Sequence, residues 1–137
     1  CGVSNVGSVL SMIRRAGDDL GVEGYSISEP SELGRADRLV LPGVGAFDAA
    51  VERLKSLGLW EAIQRFGYEK RKPVLGICLG MQLLTERSEE GERAGFGWIS
   101  GQGVRLTASA QARVPHMGWN TLRLKRPSPL FEGGPPP

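Results

Sequence analysis

Apolar residues recur at helical spacing through Val6, Val9, Ile13 and Ala16, which predicts a helix over Asn5 to Ala16. Ser4 or Asn5 is placed to cap its start, Arg14 and Arg15 suit its C-terminal end, and Gly17 stops it. Gly24-Tyr25-Ser26-Ile27-Ser28 alternates apolar and polar positions and predicts a short strand. Pro30-Ser31-Glu32-Leu33 reads as a turn opening a helical stub. Arg38-Leu39-Val40-Leu41 is a short apolar run closed by Pro42-Gly43, the pattern of a buried strand. Phe47, Ala50, Val51, Leu54 and Leu57 share a face, so Ala46 to Leu57 is expected to be an amphipathic helix. Gly58 interrupts, and Leu59, Trp60, Ile63 and Phe66 predict a second helix. Pro73-Val74-Leu75-Gly76-Ile77 predicts another buried strand with Cys78 at its end, and Leu79 to Glu86 a further helix.

Strand and helix thus alternate up to about residue 87, which argues for an α/β fold with a parallel sheet. The texture then changes. Glu89-Glu90-Gly91-Glu92-Arg93 is a polar loop. Val104 and Leu106, and then Trp119 to Leu124, read as later strands separated by Gly and Pro. The last nine residues have no periodicity, and there is no internal repeat.

Composition narrows the class. The chain has 137 residues, with 17 basic and 15 acidic side chains, 2 Cys and 1 His. That length suits one domain, and the balanced charge shows no bias toward nucleic acid. No apolar run approaches the ~20 residues of a membrane span, and no leader-like segment opens the chain. Two well-separated cysteines do not make a disulfide scaffold, so a reducing, cytoplasmic setting is expected. Glycine, at 20 residues, is about twice its usual share. The chain starts at Cys1 without a Met, as a piece of something longer would.

Three segments carry candidate chemistry. Gly76-Ile77-Cys78-Leu79-Gly80 has the form Gly-x-nucleophile-x-Gly between an apolar strand and a helical segment, the arrangement of a nucleophile elbow. A nucleophile on such a turn is lifted above the sheet, and flanking glycines keep β-carbons out of the crowded bend. The start of a helix also favours thiolate. Pro42-Gly43-Val44-Gly45 follows the preceding strand, where backbone N–H groups can face a cleft at the sheet's carboxyl edge and stabilise an oxyanion. Val114-Pro115-His116-Met117-Gly118-Trp119-Asn120 holds the one His, which the residues alone suggest as the base for Cys78. The bland readings are a buried structural Cys, a plain turn and a turn histidine.

Taken together, Pro42-Gly43-Val44-Gly45-Ala46-Phe47, Gly76-Ile77-Cys78-Leu79-Gly80-Met81-Gln82-Leu83-Leu84, Ser88-Glu89-Glu90-Gly91 and Pro115-His116-Met117-Gly118-Trp119-Asn120 resemble a class I (triad) glutamine amidotransferase domain. Within that class they resemble the glutaminase subunits of imidazole glycerol phosphate synthases, over the chain up to about Phe131. Asn5-Val6-Gly7-Ser8-Val9 resembles the first loop and helix of that group. The resemblance implies a flavodoxin-like α/β domain, a parallel central sheet with flanking helices, present here as a partial glutaminase domain over residues 1–137. It implies that Cys78 attacks the side-chain amide of L-glutamine, and that Gly45 and the Leu79 N–H stabilise the oxyanion. Gln82 and Glu90 would hold the substrate's amino-acid end, Glu90 against the α-ammonium. His116, Met117 and Gly118 would line the glutamine pocket through backbone contacts, so His116 is not the base. Asn5 and Trp119 would lie near a (β/α)₈ synthase subunit that receives the ammonia within a heterodimer. No cofactor, metal, nucleic acid or membrane is implied.

The departures bear on activity. The family's catalytic His and Glu lie in a His-Pro-Glu segment, and these 137 residues contain no such run. The family also opens with an apolar strand ahead of the position of Cys1. The expectation is therefore a chain truncated at both ends, with negligible glutaminase activity alone. Two alternatives share the motifs: a paralogue feeding ammonia to sugar amidation in surface-polysaccharide synthesis, and an inactive fragment that only binds a partner. A flavin- or nucleotide-binding domain is disfavoured, because no Gly-x-Gly-x-x-Gly follows a strand.

Overall fold

A computed structural model describes residues 5–109, 113–121 and 123–129. Expectations that rest on Cys1, Ser4, Leu122 or residues 130–137 fall outside the described residues. The chain divides into two compact units, Cys1–Arg105 and Leu106–Pro137, and each is described by itself.

The first unit opens with α1 (Val6–Gly17), capped by the Asn5 side chain, which accepts from the Ser8 N–H at 3.1 Å. Its inner face is formed by half-buried Val6, Val9, Leu10 and Ile13. Ala16, expected on that face, is exposed, and Gly17 is the buried residue at this end. Short 3₁₀ turns follow at Asp18–Leu20 and Pro30–Arg35. The second carries a capping box in which Glu29 and Glu32 satisfy each other's backbone N–H groups.

β1 (Leu39–Gly43) and β2 (Val74–Cys78) pair in parallel, with Leu39 opposite Val74 and Gly43 opposite Cys78. Between them run α2 (Phe47–Ser56) and α3 (Leu59–Gln64), separated by Gly58 in the left-handed region and followed by a π-helical turn, Arg65–Glu69. This β–α–α–β path is the crossover that a parallel pair requires. The periodicity of α2 and α3 is realised in their packing. Phe47, Ala50, Val51 and Leu54 of α2 and Leu59 and Ile63 of α3 join Leu41, Phe66, Leu79 and Leu83 in one buried core. Phe47 and Val51 are fully buried, so the first turns of α2 are fixed by burial of apolar area that is costly to undo. The expected α/β fold with parallel pairing is thereby observed, the strands among the described residues forming two separate two-stranded sheets rather than one larger one.

The structure corrects three expectations. Residues 24–28 form no strand. Tyr25 and Ile27 pack on the core, but a groove of about 670 Å³ between α1, this segment and the free edge of β1 leaves the segment without a ladder partner. The helix expected over Leu79 to Glu86 ends early: α4 covers Leu79–Leu83, and β3 (Thr85–Ser88) follows. The backbone past Leu84 pairs elsewhere: Thr85 O and Glu86 O accept from the Gly97 and Gly95 N–H groups at 3.1 and 2.9 Å, and the Thr85 hydroxyl takes Gln82 O, the carbonyl a helical Glu86 N–H would use, at 2.8 Å. β3 then pairs in parallel with β4 (Ile99–Gly103), with Ser88 opposite Gly103. Finally, Val104 and Leu106 are irregular, and no strand occurs among the described residues from 113 onward. Val104, Leu106, Trp119 and Leu124 are all exposed, so no burial rewards a ladder there. No helix among the described residues is long and apolar enough to cross a membrane.

Candidate active site

The parallel register places two loops side by side at the carboxyl edge of the sheet, the edge at which open α/β folds bind ligands. Gly43 ends β1 opposite Cys78, which ends β2. Val44-Gly45-Ala46 leads from the first strand into α2, and Leu79 leads from the second into α4. Gly45 and Leu79, expected to supply the oxyanion donors, therefore flank Cys78 on one edge. Gly45 has φ +106°, a conformation open to glycine.

Cys78 is the junction of strand and helix, with φ 55° and ψ −117°, one of two described non-glycine residues at positive φ. The side chain is exposed and unbridged. The neighbouring glycines make this bend sterically feasible. A β-carbon on Gly76 would sit 2.7 Å from Gly80 O and from the Met81 backbone, and one on Gly80 would overlap the Leu41 carbonyl oxygen. The sharp turn, the strained backbone and the exposed thiol have the geometry of a nucleophile elbow. The short α4 contributes less dipole than the long helix the sequence suggests. The N–H of Leu79 nevertheless heads that helix, where no intrahelical acceptor is available.

Gln82 lies one turn into α4, its side chain packed near Gly103 of β4. Glu90 lies on the turn after β3, exposed, and its N–H donates to the buried Ser88 hydroxyl at 3.2 Å. The Glu89 N–H donates to Gly103 O at 2.9 Å, which ties the start of this turn to β4. The far end is tied elsewhere. Asp48, in the first turn of α2, accepts from the Glu92 N–H at 3.0 Å and the Arg93 N–H at 2.9 Å. Those two N–H groups, Glu92's foremost, hold the Asp48 carboxyl below its ordinary pKa, and the Arg93 charge adds to them. One helical turn on, Glu52 accepts from the Arg93 guanidinium at 2.7 Å.

Asp48 escapes sequence reasoning. Asp48 reads as an ordinary polar position on α2, and its one sequence signal is its place three residues after Gly45.

His116, Met117, Gly118 and Trp119 belong to the second unit. There the His116 Nε2 and Asn120 Nδ2 lie 3.4 Å apart, and Asn120 Oδ1 accepts from the Thr121 N–H at 2.8 Å. Met117 and Trp119 are fully open to solvent, and Gly118 has φ +148°. Asn5 is the cap of α1 and exposed.

This geometry agrees with the chain's kinship. The profile of the Glutamine amidotransferase class-I family matches residues 1–137. Imidazole glycerol phosphate synthase subunit HisH 2 of Pseudomonas aeruginosa is 41% identical over 132 residues, covering 96% of this chain and 63% of the relative. The HisH 2 subunit of Parasynechococcus marenigrum is 45% identical over 127 residues, covering 93% of this chain and 59% of the relative. The HisH subunit of Sulfurimonas denitrificans is 45% identical over 135 residues, with 96% and 62% covered. The chain thus spans about three-fifths of the length of the curated relatives it matches. With its elbow, its paired sheet-edge loops and this breadth of identity, the chain belongs to the class-I glutamine amidotransferase family.

Proposed function

We propose that the protein carrying this chain is a glutaminase that releases ammonia from L-glutamine for a synthase subunit making imidazole glycerol phosphate. The observation that carries this reading is the Cys78 elbow, φ 55° and ψ −117°, set beside the Gly43–Gly45 loop. The names of the relatives, each a subunit of imidazole glycerol phosphate synthase, support a synthase assembly as the acceptor of the ammonia.

In this reading the Cys78 thiolate attacks the side-chain amide carbon of glutamine. A C–S bond forms, and the carbonyl oxygen takes up negative charge. The Leu79 N–H and a backbone N–H of the Gly45 loop hydrogen-bond that oxyanion, which strengthens them selectively in the transition state. The leaving nitrogen takes up a proton from solvent or from a general acid outside these residues as the C–N bond breaks, ammonia departs, and water hydrolyses the glutamyl thioester to glutamate and the free Cys78 thiol. Gln82 and Glu90 orient the amino-acid end, Glu90 by its charge against the α-ammonium. His116, Met117 and Gly118 line the pocket through their backbone. His116 is the chain's single histidine, and with a binding role it leaves the base unassigned among these residues.

Ammonia released into bulk water becomes ammonium, which is not nucleophilic. The glutaminase therefore works as one half of a cytoplasmic heterodimer with a (β/α)₈ subunit, and the family resemblance gives Asn5 and Trp119 contacts to that subunit. The test is glutamate release by the full protein with its synthase subunit. Cys78→Ala abolishes it, and retention of turnover in that variant refutes the reading.

A further inference from the structure

Glu90 sits between two anchors. On its N-terminal side the turn hangs from β3 and β4: Glu89 N–H to Gly103 O at 2.9 Å, Glu90 N–H to the Ser88 hydroxyl at 3.2 Å, Gly91 N–H to Ser88 O at 3.3 Å. On its C-terminal side the turn is held by one carboxylate on another element. Asp48 accepts two successive backbone N–H groups, those of Glu92 and Arg93, at 3.0 and 2.9 Å. These are charge-assisted bonds, stronger than neutral ones, and both constrain backbone.

Two details tie this contact to the site. Asp48 is the second residue of α2, next to the fully buried Phe47 and three residues past Gly45, so its position is set by the loop that flanks Cys78. Gly91 makes the approach possible: a β-carbon there would overlap Asp48 Oδ1. The Glu52–Arg93 pair one turn along the helix is exposed, and such pairs contribute little.

We propose that Asp48 is a positioning residue for glutamine binding: it fixes the Glu90 turn to the helix that follows the Gly45 loop, and so sets the distance from the ammonium-binding carboxylate to Cys78. This rests on the reading of Glu90 as the group facing the substrate's α-ammonium. Substrate length is matched by this spacing. Glutamine has its amide and its ammonium at opposite ends, and a turn free to move with respect to the elbow loses that match.

The test uses the full protein with its synthase subunit, with steady-state glutamate release as the readout. Asp48→Ala is expected to raise KM for glutamine about tenfold or more, with kcat falling less than about threefold. Gly91→Ala, which displaces the carboxylate from the other side, is expected to do the same. Asp48→Asn keeps one acceptor oxygen and is expected to fall between Asp48→Ala and wild type. Arg93→Ala retains its backbone N–H and is expected to change KM less than about twofold. A purely structural loss lowers the active fraction and hence kcat, but leaves KM alone. KM within twofold of wild type for Asp48→Ala and Gly91→Ala, with Glu90→Gln raising it, overturns the positioning role while the reading of Glu90 stands. A Glu90→Gln variant with unchanged KM overturns that reading, and the positioning role with it.

Discussion

Cys78 holds its thiol in a backbone conformation that an L-residue adopts at a cost, and that cost is measurable. Its φ of 55° with ψ of −117° lies outside the regions favoured for residues with a β-carbon. Such positions store about 1–3 kcal/mol each. Cys78→Gly removes the β-carbon and releases this strain, while glycine's extra freedom in the unfolded chain returns about 0.5–1 kcal/mol. The thiol is exposed, so its removal forfeits little burial. The net expectation is a gain of about 0–2.5 kcal/mol, centred near 1 kcal/mol. Cys78→Ala keeps the β-carbon and the strain, and is expected within about 0.5 kcal/mol of wild type. Urea unfolding of the three proteins reads this directly, a 1 kcal/mol gain moving the midpoint by about 0.5 M. Both variants of the full protein are expected to lose glutamine turnover. A stability exchange of this sign is the signature of strain held for function. A Cys78→Gly protein less stable than Cys78→Ala refutes the strain argument.

Two further predictions concern the same edge of the sheet. Gly80→Ala drives a methyl group into the Leu41 carbonyl, and is expected to cost at least about 1–3 kcal/mol in unfolding free energy, with turnover reduced at least about 100-fold by displacement of the elbow. The second is acid sensitivity. Asp48 and Glu32 both have carboxyls held below their ordinary pKa, Glu32 chiefly by the N–H of Ser28 and then that of Glu29. A folded-state pKa below the unfolded one contributes stability that is complete above the unfolded value and lost as pH falls through the folded value. Asp48→Asn is therefore expected to flatten the decline in stability between about pH 5 and 2, measured by urea midpoints across that range. A decline as steep as that of wild type contradicts it.

The sequence foretells best the elements whose periodicity meets a partner. Phe47, Ala50, Val51 and Leu54 are buried as their spacing demands, because β1 and α4 lie beneath them. The runs around Val40 and Leu75 pair in parallel, as the α/β alternation implies. The misses occur where non-local hydrogen bonds decide. Nothing in Leu79 to Glu86 announces that Thr85 and Glu86 will pair with Gly97, Gly95 and β4 instead of extending the helix. Nothing in Gly24 to Ser28 announces that a groove separates it from β1. For the site, Cys78, Leu79 and Gly45 are legible as motif residues because backbone sterics force glycine at Gly76 and Gly80. Asp48 is not, since it acts through a contact 44 and 45 residues away along the chain.

The central claim is that Cys78 is the nucleophile for a glutamine side chain. Its most direct test is peptide mapping by mass spectrometry after the full protein, with its synthase subunit, has reacted with an electrophilic glutamine analogue. The account predicts one adduct, on the peptide containing Cys78, blocked by excess glutamine and absent in Cys78→Ala. An adduct on Cys1, or labelling of Cys78 that glutamine does not slow, contradicts it.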